Sequence, residues 1–188
     1  MVYDRNAYFP KIREVETMTD AQYYVRGRTA LLHAVDSTIH HIGNVHKYAR
    51  EEDVSEKTIF IITTDGKENA SHAYSYARVK QMIERQEEKY NWEFLFVGAN
   101  INAAAEGARI GIHANCTANY VYDSLGTRVQ YSALADAVSC VRAATSAKAM
   151  NAMFDEDKAM LPIREDFHRR SKPKKNSCQK YLPVWEKL

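Results

Sequence analysis

Residues 57–71 read KTIFIITTDGKENAS, and the fold turns on them. Ile59, Phe60, Ile61 and Ile62 form a short β-branched and aromatic run, the composition of a central parallel strand buried on both faces. The run stops at Thr63-Thr64-Asp65-Gly66, where polarity returns and the glycine permits a tight reversal. In open α/β sheets the working residues sit just beyond the carboxyl ends of such strands. Asp65 is therefore the first candidate for chemistry, because a carboxylate in that crevice can hold a divalent cation directly or through water. The competing reading is an Asx-type turn that caps the segment after it.

Upstream of this strand, Leu32, Val35, Ile39, Ile42 and Val45 recur at spacings of three and four. They predict an amphipathic helix from near Thr29 to about Tyr48. Further back, Val2, Tyr3, Tyr8, Phe9, Ile12 and Val15 are interrupted by polar residues and Pro10, which predicts an edge hairpin over residues 1–17. Downstream, Tyr76, Val79, Ile83 and Tyr90 mark one stripe of a long helix over residues 70–90. WEFLFVGAN, residues 92–100, reads as a second buried strand. Residues 103–110 read as a short alanine-rich helix stopped by Gly111. A third strand is expected over residues 116–123, and a last helix carries Tyr131, Leu134, Val138 and Val141. Strand-helix alternation from 57 to 148 argues for an α/β fold, a doubly wound and mainly parallel sheet with an antiparallel edge hairpin. Residues 149–188 read as a loosely ordered basic tail.

A chain of 188 residues with a formal charge of +2 buries one core and has no global electrostatic bias. No apolar run reaches the ~18 residues that cross a bilayer, and the amino end lacks a signal-peptide layout, so a cytoplasmic protein with no membrane partner is expected. Cys116, Cys140 and Cys178 are odd in number and widely spaced, which points to neither a disulfide framework nor a zinc knuckle.

GRTALLHAV around Thr29, IFIITTDGKENAS around Asp65 and FLFVGAN at the next strand together resemble the von Willebrand factor type A domains, in particular small stand-alone bacterial members. The resemblance spans residues 1–148. It implies a metal-ion-dependent adhesion site, in which magnesium or manganese leaves one position for an acidic group of a partner protein. It assigns Thr29 as a hydroxyl ligand from the second loop and Asp65 as a ligand from the third, with Gly66 making the turn. Glu68 and Asn69 belong to the same motif as supporting or helix-capping groups. Asn100, at the next strand end, reads as a turn residue that lines the rim.

The family's first metal loop, Asp-x-Ser-x-Ser after the first central strand, occurs nowhere in the sequence. The resemblance therefore implies an N-terminally truncated domain with weak metal binding, its sheet completed by residues upstream or by a second chain. The expected function is a non-enzymatic protein-binding module. Two other readings are a metal-dependent hydrolase or phosphoryl-transfer enzyme using Asp65, and a nucleic-acid adaptor acting through RRSKPKK at residues 169–175. The first needs a second acidic or nucleophilic group on the rim, and the second lacks interleaved aromatic residues. His33, Asp36 and His40 share a helix face but not a recognised metal spacing, and a solvated face is expected there. Cys140 is expected to be buried on the last helix.

Overall fold

The computed structural model describes residues 29–54, 57–144 and 158–171, with Glu16, Thr17, Thr19, Ala21 and Phe154 besides. The predicted hairpin over 1–17 lies outside the described residues, apart from Glu16 and Thr17. Three strands form one parallel sheet: β1 (Ile59–Thr64), β2 (Glu93–Gly98) and β3 (Thr117–Asn119), in the order β1-β2-β3. Five described α-helices surround it: α1 (Leu31–Tyr48), α2 (Tyr76–Tyr90), α3 (Ala103–Arg109), α4 (Ser124–Ala143) and α5 (Leu161–Arg170). The architecture is α/β and compatible with a Rossmann-like fold.

Register pairs Ile59 with Glu93 and Thr64 with Gly98, so the carboxyl ends of β1 and β2 finish level. Alternate side chains on a strand face opposite ways, which places the helices. On one face Phe60 stacks on Phe94 at 5.3 Å, and His46 of α1 meets the edge of Trp92 at 5.8 Å. On the other, Gln130 of α4 donates a 3.0 Å hydrogen bond to Thr63. Helices therefore cover both faces of the sheet.

β1, read from the sequence as a central strand buried on both faces, pairs among the described residues with β2 alone. Among the described residues β2 holds the middle place, with Phe94, Leu95, Phe96 and Val97 all fully buried. Ile59, Phe60 and Ile61 of β1, paired on one side among the described residues, are half-buried.

Several element boundaries also move. The second helix starts at Tyr76, not at residue 70, because Ser75 caps it by accepting from the Arg78 N–H and residues 70–71 bond to Glu68 instead. The third strand keeps only Thr117–Asn119, since the Asn119 side chain turns to bond Ala103 N–H and the Ile101 carbonyl. On α4 the buried stripe runs through Gln130, Leu134, Ala137 and Val141, while Tyr131 and Cys140 are exposed.

Residues 161–170, read from sequence as part of a loose tail, form α5 and pack on α4 and β3. Met160 and Ile163 are fully buried there, and Arg164 donates to the carbonyls of Thr117 and Ala114. Covering the short outer strand in this way blunts a sheet edge that would otherwise present unpaired carbonyls. No described helix is long and apolar enough to cross a membrane.

Candidate functional site

The loop after β1 returns to the start of α1, and its side chains do what α1 cannot do for itself. Ala30 stands at the N-cap with no side-chain acceptor, and the first turn holds no acidic residue. The orphan N–H groups of that turn need partners. Glu68 accepts from Leu32 N–H at 2.8 Å, and the Ser71 hydroxyl accepts from His33 N–H at 3.1 Å. Asn69 and Thr29 exchange two bonds, Thr29 N–H to Asn69 Oδ1 at 2.8 Å and Asn69 N–H to the Thr29 carbonyl at 3.0 Å. Glu68 also gathers its own loop, accepting from Ala70 N–H, Ser71 N–H and the Ser71 hydroxyl at 2.7–2.8 Å. Burial works to raise the Glu68 carboxyl, and these bonds outweigh it and hold the group below its ordinary value.

Thr29 and Asp65 thus share one rim. A side chain grown from Gly66 would come within 3.8 Å of Thr29 Oγ1, which shows how closely the two loops approach. Asp65 is exposed, and neither its carboxylate nor the Thr29 hydroxyl makes a hydrogen bond with the described residues. Of the five motif residues, Glu68 and Asn69 are committed to fastening the loop, Gly66 turns it, and the side-chain oxygens of Thr29 and Asp65 are free among the described residues. Magnesium takes about six oxygens in near-octahedral array. Two protein oxygens on this rim fall well short, and the described residues contain no cluster of three His, Cys, Asp or Glu side chains able to hold a metal.

Beside that rim, at the carboxyl ends of the strands, opens a crevice of about 490 Å³. Lys67, Asn100, Asn102, Tyr122, Phe167 and Ser171 line it. Asn100 takes a left-handed backbone at φ 56°, a conformation asparagine tolerates better than most residues. Sequence reasoning placed Asn100 on the rim but missed Lys67, Tyr122, Phe167 and Ser171. Lys67 and Tyr122 were reachable by applying the strand-end rule to every strand; the α5 residues carried no local signal.

A larger groove of about 640 Å³ lies before β3, between α2 and α3, lined by Glu84, Glu87, Glu88 and His113. Burial, with Glu84 and Glu88 nearby, raises the Glu87 carboxyl against the opposing effect of His113. It lies away from the rim, and no other feature ties it to a ligand. The His33–Asp36–His40 face is not the solvated one expected. Asp36 is buried, paired with Arg78 of α2 at 3.3 Å and with His40 at 4.0 Å, and so clasps α1 to α2.

Fold and rim together define an α/β protein whose loops converge on a candidate binding edge. Comparisons of the chain with protein-family models, with curated proteins and with solved structures find no match.

Proposed function

We propose that the chain is a non-enzymatic protein-binding module of the von Willebrand factor A type, an intracellular domain that recognises an acidic residue of a partner protein at this rim. In this reading residues 1–17 form the edge hairpin, and Thr29 and Asp65 are the surviving ligands of a magnesium or manganese site. One observation supports it above the rest: the motif's capping residues are all engaged, while the two residues the resemblance names as ligands lie on the same rim with side-chain oxygens that bond none of the described residues. A bound cation would supply positive charge for a partner carboxylate to complete. The chain's own contribution is positional, since Glu68, Asn69 and Ser71 fasten the loop to α1 and so bring Asp65 beside Thr29.

With two donors the ion is held weakly, no tighter than roughly millimolar. Calorimetric titration of magnesium and manganese into the wild-type chain and Asp65→Ala tests the assignment. Weak binding to the wild type and none to the variant is expected, with stability changed by less than about 0.5 kcal/mol because Asp65 is exposed. Metal binding that survives Asp65→Ala unchanged would sink the site.

A further inference from the structure

We propose that the crevice between Lys67, Asn100, Tyr122 and Ser171 docks an acidic peptide segment of a partner protein, with Lys67 meeting its carboxylates in place of a metal ion. The inference rests on the rim reading above for the acidic partner and departs from it in what supplies the positive charge.

Charge is the first argument. Lys67 makes no ion pair with the described residues, and none of the described residues lining the crevice is an aspartate or glutamate. Asp123, close by in sequence, is taken up by Arg170 at 2.6 Å and by the Gly126 N–H at 2.7 Å. Asn100, Asn102, Tyr122 and Ser171 add amide and hydroxyl donors. A donor-rich cleft whose one described cation, Lys67, is unpaired among the described residues suits carboxylates.

Rigidity is the second. The floor loop is fixed by Ala99 N–H to the Thr64 carbonyl at 2.9 Å, by Tyr120 N–H to the Gly98 carbonyl at 3.0 Å, and by the Asn119 amide. The α5 wall is fixed by Arg170, which grips both Asp166 and Asp123. Groups held this way lose little freedom on binding. The third argument favours a protein partner over a small anion. Tyr122 is 62% exposed at the mouth and Leu125, the second residue of α4, is 49% exposed. An exposed aromatic ring at the mouth of a polar cleft is typical of a peptide-binding surface.

The test is fluorescence anisotropy with a labelled oligoglutamate peptide and the full chain, in EDTA and in magnesium, with oligoglutamine and oligothymidylate as comparison ligands. Binding of oligoglutamate but not oligoglutamine is expected in EDTA, weakening as salt rises. Lys67→Ala should weaken it about three- to fivefold, Lys67→Glu further, and Tyr122→Ala independently, with Asp65→Ala neutral or tighter. Circular dichroism of each variant confirms folding. Equal affinity in Lys67→Glu and wild type would overturn the proposal and assign binding to residues 172–175 alone. Loss of binding in EDTA and in Asp65→Ala would overturn it in favour of the cation. Tighter binding of oligothymidylate, insensitive to Lys67→Glu, would overturn it in favour of nucleic acid, and no oligoglutamate binding at all would remove the acidic partner from both readings.

Discussion

Glu68 bonds the backbone of two segments at once, closing the first turn of α1 and the loop that carries Asp65. Its carboxyl sits below the ordinary value of 4.5, so the ionised form is favoured by folding. Its contribution to stability is therefore fully present above that value and is lost as pH falls through the depressed folded value. Glu68→Gln is expected to lower stability by about 1 to 2 kcal/mol at neutral pH. The variant should also show a shallower loss of stability below pH 4.5 than the wild type, as denaturant titrations at stepped pH would record. Identical acid profiles would mean that the carboxylate does not hold the loop. The positions of Thr29 and Asp65 were legible because a strand end and a helix start are local features. That Glu68 caps a helix was legible too, but not that the helix is α1, since Leu32 lies 36 residues away.

Among the elements, α5 departs furthest from expectation. LPIREDFHRR has few apolar residues, and composition alone places it in a polar tail. Its order comes from contacts: Ile163 against the core, Arg164 on the β3 carbonyls, and Asp166 buried between Arg169 and Arg170. Ile163→Ala should cost about 2 to 4 kcal/mol, and hydrogen exchange should show α5 amides losing protection before those of β2. Loss of protection at the same rate everywhere would mean that α5 folds only with the sheet. The stripe of α1 was readable because Leu32, Val35 and Ile39 are apolar and periodic. That of α4 was read in part: Leu134 and Val141 are buried as expected, but the stripe also includes a buried glutamine, Gln130, whose amide reaches Thr63 and whose Oε1 has no hydrogen-bond partner among the described residues. Hydrophobic periodicity selected Tyr131 instead, which faces solvent.

At the scale of the whole molecule, one contiguous core joins α1, α2, the three strands, α4 and α5. Phe96, fully buried on the middle strand, lies within it. Phe96→Ala is expected to cost about 3 to 5 kcal/mol and to shift near- and far-ultraviolet circular dichroism transitions together, whereas separated transitions would divide the core into independent units. Hydrophobic runs, turn residues and helix periodicity, all short-range properties of the chain, determined the α/β class, the two long strands, α1 and the rim position of Thr29 and Asp65. Which of the described strands lies in the middle, which carboxylates are buried, and that α5 covers β3 and walls the crevice were decided only by tertiary structure. Each depends on a partner far away in sequence, and burial and ion pairing exist only once the chain has brought such partners together.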